Sequence, residues 1–189
     1  MRLNYVGNPP QCATAEDQAI VERVKQRRGD GCLLELDLSL LHAPPVADGW
    51  NSFLGAIRTR TTLATSIRET AICRVAVLNK AWYEWEHHVP LLEACAHVQE
   101  AHVQTVLRSP PHRIQGSLPD EQHRAVVAYA DAMTLDVDVP EVVFEDLKNA
   151  FSDKEVVEIT ATIAAYNCVS RFLVALDVGE RNGQGGPSI

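Results

Sequence analysis

The stretch from Arg68 to His88, RETAICRVAVLNKAWYEWEHH, restricts what this chain can fold into more than any other. It reads as two helical segments, the apolar AICRVAVL and the aromatic WYEW, which meet at Asn79-Lys80 and carry Glu69, Glu84, His87 and His88 on or beside them. Ionisable groups in apolar surroundings have to be paired or neutralised. Glu84 and His88 are four residues apart, so on one helix they stand a turn above each other and share a face. Glu69 would lie about four turns back along an unbroken helix, and it joins them only if the chain folds over at Asn79-Lys80. A carboxylate and an imidazole held in this way are a candidate acid–base pair, with His88 the inward histidine. His87, turned by about 100° on the helix, is then a surface or subunit-contact residue.

The rest of the chain keeps the helical period. Residues 15–28 form an amphipathic helix with Ile20, Val21 and Val24 as its apolar stripe, and 37–42 a short helix or turn stopped by Pro44-Pro45. Residues 46–59 follow as a helix whose Trp50, Phe53, Leu54 and Ile57 have the spacing of a buried face. A helix over about 81–96 contains Pro90, which removes a backbone hydrogen bond and shapes the turn holding Glu86 and His87. A loop at 108–118, helices at 119–133 and 140–150, and a long last helix to about Leu176 complete the pattern. Ser152-x-x-Glu155 is a capping box that opens the last helix. Ser66-x-x-Glu69 has the same form, and on that reading Glu69 merely closes a helix start. No strand alternation competes, so the expected fold is all-α: an N-terminal arm over 1–14, one helical domain over 15–178, and a flexible Gly-rich tail over 179–189.

Composition removes several function classes. A chain of 189 residues, 46% of them hydrophobic, is long enough to bury a core of its own. Its formal net charge of −8 argues against nucleic acid as a partner. The basic VKQRRGD segment at 24–30 carries its own Asp and reads as a solvated helix end closed by Gly29 and Gly31. Cys12, Cys32, Cys73, Cys95 and Cys168 are scattered and odd in number, which points to a reducing, cytoplasmic setting. Residues 1–20 lack a secretory apolar core, and the uninterrupted apolar runs fall short of the roughly 20 residues a bilayer requires, so no membrane partner is expected. Glu84-Trp85-Glu86-His87 has the Glu-x-x-His form of a carboxylate-bridged metal site, but there is no second copy, so no metal is expected.

These residues carry a resemblance. A Glu, a hydrophobic helix ending in Asn, and then YEWEHH with a following Pro and Leu-rich run look like the carboxymuconolactone decarboxylase and alkylhydroperoxidase D-like superfamily. The downstream LPDEQHRAVVAYADAMT and VPEVVFEDLKNAFSDKEVVEITATIAAYNCVSRFLVAL are similar to its decarboxylase-like branch. The resemblance implies a helical bundle with a helical-hairpin core, assembled as a trimer or hexamer, acting on a small molecule without a cofactor. Peroxidase members use a Cys-x-x-Cys pair three residues ahead of a His. Aligning that His with His88 puts Ala81 and Glu84 at the cysteine positions, and neither can supply a thiolate. Thiol peroxidase activity is therefore not expected. What remains is acid–base chemistry: Glu69, Glu84 and His88 catalytic, with Glu84 orienting the imidazole or exchanging that role with Glu69. Trp50, Phe53, Arg74, Tyr83 and Trp85 are the candidate substrate contacts. Decarboxylation of a carboxylated lactone or aromatic ring is the leading reading. Another carbanion or enolate lyase or isomerase, and a non-catalytic oligomeric module, are the alternatives.

Overall fold

The computed structural model describes residues 1–29 and 31–187. Within them the chain forms nine α-helices and no strand. In order these are α1 (Ala15–Arg28), α2 (Glu35–Leu40), α3 (Pro44–Thr59), α4 (Thr65–Leu78), α5 (Trp82–Glu93), α6 (Glu100–Arg108), α7 (Glu121–Asp131), α8 (Glu141–Ala150) and α9 (Asp153–Leu176). The all-α expectation holds. The helices fall into two compact units, one of residues 1–61 with 175–181, the other of residues 62–174 with the chain from 182 onward.

In the first unit α1 lies along α3, where Arg23 places Nε and one terminal nitrogen on Asp48 at 2.9 and 2.8 Å. Arg28 makes the same fork on Asp37, which also accepts the Leu34 N–H, and this allows Asp37 to be buried at the start of α2. Pro44 and Pro45 begin α3 instead of ending α2, since the N–H that proline lacks has no partner in a first helical turn anyway. The buried stripe of α3 is Ala47, Leu54 and Ile57, and Phe53 is exposed. The N-terminal arm is tied down here: the Met1 ammonium binds Glu180, the Arg2 N–H reaches Leu176, and Tyr5 Oη accepts the Gly179 N–H.

The second unit is organised around α4, which buries every residue from Ile67 to Ala76 except Arg68. A helix apolar nearly all round belongs inside a bundle. At its end the chain turns back through Lys80, held at φ 55, and the Ala81 N–H closes on the Ala76 carbonyl at 2.8 Å. This is the reversal expected at Asn79-Lys80. It lays α5 antiparallel against α4, while α6 and α7 cover another side of it. Cys73, Ala76, Trp85, Leu92, Val103, Val106 and Val127 form the core between them. α6 has no counterpart in the sequence reading, because His102 and Gln104 interrupt the apolar stripe of Val103 and Val106. α7 runs into a π turn, Ala132–Asp136, that ends at Val137 with φ 68, a conformation β-branched residues rarely adopt.

The Ser152–Glu155 capping box is formed, with Glu155 Oε2 accepting from both the backbone and the hydroxyl of Ser152. The Ser66–Glu69 box is not, for α4 starts at Thr65 without a side-chain cap. α9 is 24 residues long with a window of mean hydropathy 1.4, so it meets the length and apolarity of a spanning helix despite lacking a continuous apolar run. Its Ile159, Ile163, Tyr166, Val169 and Leu173 are buried inside the protein. The tail expected to be flexible lies against its unit as far as it is described: Asn182 donates to the Val174 carbonyl, and Gly186 sits where a Cβ would come within 2.9 Å of the Trp82 ring. Ser188 and Ile189 lie outside the described residues.

Candidate active site

The helical hairpin sets the register of the candidate site. The turn that joins residue 81 to residue 76 also brings His88 level with Glu69, and His88 Nδ1 lies 2.7 Å from Glu69 Oε2. Both side chains are buried. The other oxygen of Glu69 accepts from Arg68 Nε at 3.2 Å. Glu69 is therefore the carboxylate that orients the imidazole, and its side chain is spent on His88 instead of on a helix cap.

Glu84, expected to do this from one turn below His88, is engaged elsewhere. Both of its oxygens accept from Ser170 Oγ, at 3.0 and 3.1 Å. Burial pushes its carboxyl well above the ordinary carboxylate range, with the Ser170 hydroxyl pulling the other way. α9 runs antiparallel to α5 at this point. One turn before Ser170, Tyr166 meets the His88 ring edge to face, with centroids 5.0 Å apart. Tyr166 and Ser170 thus answer His88 and Glu84 with the same four-residue spacing. The next side chain on that face, Asn167, accepts from Asn79 Nδ2 at 3.1 Å and donates to Thr134 Oγ1 at 3.0 Å, tying the hairpin turn to the π turn.

Cys73 lies one turn beyond Glu69 on α4. Burial raises its thiol well above the usual range, and the charges of Glu69, Glu84 and Glu93 push the same way. With Ala81 and Glu84 at the expected cysteine positions, the surroundings of His88 hold no activated thiol among the described residues.

The candidate substrate contacts separate. Arg74 requires correction: it is fully buried, with Nε and one terminal nitrogen on Asp131 at 2.5 and 2.9 Å and its remaining donors on the carbonyls of Val106, Ser109 and Pro110. All five guanidinium N–H groups are used, so none is available to a substrate carboxylate. Trp85 belongs to the core with Cys73 and Leu92. Tyr83 is buried against the His87 ring, and its carbonyl engages His87 Nδ1 at 2.8 Å. Trp50 and Phe53 are both on α3 in the first unit, half-buried and exposed respectively. Sequence reasoning missed Tyr166 and Ser170. The available signal was polar residues at four-residue spacing in an apolar helix, the same pattern that singled out Glu84 and His88.

Among the described residues no group of three or more His, Cys, Asp or Glu is placed to hold a metal ion. No protein-family model matches the sequence, and no curated protein is significantly similar to it. Solved structures do match. A peroxidase-related protein from a Silicibacter species superposes with a TM-score of 0.70 at 17% identity, covering 95% of each chain. The fold is alkylhydroperoxidase D-like. A cysteine-to-alanine variant of the debrominase Bmp8, in complex with 2,3,4-tribromopyrrole, gives 0.68 at 20% identity over 87% of this chain and 84% of that one. A candidate antioxidant defence protein AhpD of unknown function from Agrobacterium tumefaciens gives 0.61 at 22%, covering 78% and 94%. The shared fold thus carries more than one described activity.

Proposed function

We propose that this alkylhydroperoxidase D-like chain is a cofactor-independent, decarboxylase-like lyase that acts on a carboxylated lactone or aromatic ring through Glu69 and His88. The observation that carries this reading is the buried 2.7 Å contact between His88 Nδ1 and Glu69 Oε2 in a fold where the peroxidase cysteine positions are Ala81 and Glu84. A carboxylate on Nδ1 fixes the tautomer and stabilises the imidazolium, so the proton exchanged with substrate is the one on Nε2. In the reaction the C–C bond to the carboxylate breaks, CO2 leaves, and the electron pair drains into a conjugated carbonyl. His88 then delivers its proton to the carbon and is reprotonated from solvent. Glu84, whose carboxyl burial shifts toward the protonated form, would be a second donor to the enolate oxygen. Bmp8 binds a pyrrole in its solved complex, and a small planar ring is a substrate class this fold accommodates there.

The same pair would serve another lyase or isomerase step on a stabilised carbanion, and the substrate decides between them. A homo-oligomer, trimer or hexamer, in the cytoplasm is part of the reading. Exposed apolar side chains at Phe53, Val137, Val142 and Val157 support contact with further copies. CO2 release and peroxide consumption are to be followed in parallel over carboxylated lactones and aromatic β-keto acids, with His88→Ala and Glu69→Gln as controls. CO2 release lost in both variants supports the proposal. Peroxide reduction overturns it, and CO2 release that survives both substitutions removes the pair from the chemistry.

A further inference from the structure

A second polar constellation lies on the α6 and α7 side of α4 and takes no part in the Glu69–His88 pair. His102 and His123 are 2% and 5% exposed, and their rings meet edge to face with centroids 5.0 Å apart. His102 Nε2 is 3.0 Å from Thr70 Oγ1, and His123 Nδ1 is 2.7 Å from Asp120 Oδ1. The opposite nitrogens, His102 Nδ1 and His123 Nε2, are buried without a hydrogen-bond partner. Two orphaned ring nitrogens in one place are costly and call for an explanation.

Both histidines line a groove of about 700 Å³. Its wall is made from the N-caps and first turns of three helices: Ala64, Ser66 and Ile67 at α4, Gln99, Ala101 and His102 at α6, and Asp120, Gln122 and His123 at α7. α4 and α6 start without a side-chain cap, whereas Asp120 caps α7 through the His123 N–H. Uncapped first turns present backbone N–H donors and the positive ends of two helix dipoles. Ala96, Leu118 and Pro119 add apolar surface beside them.

We propose that this groove binds an organic monocarboxylate with an apolar body, its carboxylate seated on the open first turns of α4 and α6 above the two histidines. His102 is held neutral, since burial and the neighbouring His123 lower it to about 4, with Asp120 opposing. With Thr70 donating to Nε2, its Nδ1–H is a donor. His123 is paired with Asp120 through Nδ1, and its Nε2 is the second ring nitrogen without a partner. Glu100 and Glu121 stand in the first turns of α6 and α7 and Asp120 beside them, so a dianion is disfavoured and a single carboxylate preferred. The rings shelter their orphaned nitrogens from solvent, so binding parts the edge-to-face pair. The site does not rest on the assignment of Glu69 and His88.

The test is a titration of the full-length protein with benzoate, inorganic phosphate and Zn²⁺ in parallel, followed by calorimetry and by the imidazole NMR signals of His102 and His123. The expected result is saturable benzoate binding at millimolar concentration that moves both imidazole signals. Ala64→Asp should weaken it at least tenfold while the thermal midpoint holds or rises, because the new carboxylate caps α4 and repels the ligand. His123→Phe should weaken it similarly, and Glu69→Gln should leave it unchanged. Binding of phosphate or zinc without benzoate, benzoate binding untouched by Ala64→Asp, or no binding would each overturn the proposal.

Discussion

Two buried carboxylates answer to the same central helix in opposite ways. Asp131 meets Arg74, whose five donors are all consumed by Asp131 and three backbone carbonyls, and Asp131 Oδ2 also accepts the His112 N–H of the 109–118 loop. Glu69 meets His88, a side chain that can carry one proton or two, one helical turn from a second buried carboxyl, Glu84, whose proton affinity burial raises. The first pair has every guanidinium donor engaged, so it fixes α6, α7 and their loop to α4. The second can exchange a proton. Burial of charge alone does not mark a reactive site; what the partner can do marks it.

The sharpest way to break this contrast is to remove one side of the saturated pair. Arg74→Leu strands Asp131 without its counter-charge and should cost about 3–5 kcal/mol of unfolding free energy in urea melts, with much of that recovered by adding Asp131→Leu. A milder outcome would mean that the guanidinium is not structural. The histidine cluster gives the next effect. His102 has a folded value of about 4 against an ordinary 6.5, so the unfolded chain binds the extra proton between them. Stability is then lost as pH falls through that window, by up to roughly 3 kcal/mol. His102→Asn should flatten the profile there.

Glu84 has the opposite sign. Its folded value is raised, so the native state holds the extra proton, and stability falls as pH rises above the ordinary carboxyl range. Glu84→Gln keeps an acceptor for Ser170 and should remove that slope, raising the thermal midpoint at pH 7. An unchanged slope in the variant would show that the Glu84 carboxyl is not raised in the folded state. A modest effect belongs to the loop that Arg74 holds. A Cβ on Gly116, at φ 126, would stand 2.2 Å from Thr105 Oγ1. Gly116→Ala should destabilise by about 1–2 kcal/mol without affecting the Glu69–His88 pair.

Much of this was legible in the sequence because it followed from period and turn chemistry. The bounds of α1, the reversal at Asn79-Lys80, the Ser152 cap and the inward His88 all come from local pattern. What was misread depends on partners far along the chain. Arg74 looks available until Asp131, 57 residues on, is known to face it. Glu84 reads as a partner of its helical neighbour until Ser170, 86 residues away, claims both of its oxygens. Glu69 fits a capping box as well as a catalytic dyad, and only the hairpin register decides. Trp85 is an aromatic beside the site by sequence and a core residue by packing.

The most direct test of the contrast sets Glu69→Gln beside Asp131→Asn and measures, on the same preparations, unfolding free energy and the initial rate of CO2 release from a carboxylated ring substrate that the unaltered protein accepts. Glu69→Gln should lose the rate by at least about a hundredfold while stability stays within about 1.5 kcal/mol, and Asp131→Asn should lose several kcal/mol of stability. If Glu69→Gln instead keeps its rate, or loses it only in step with stability, the Glu69–His88 pair is scaffold like the other and the account fails.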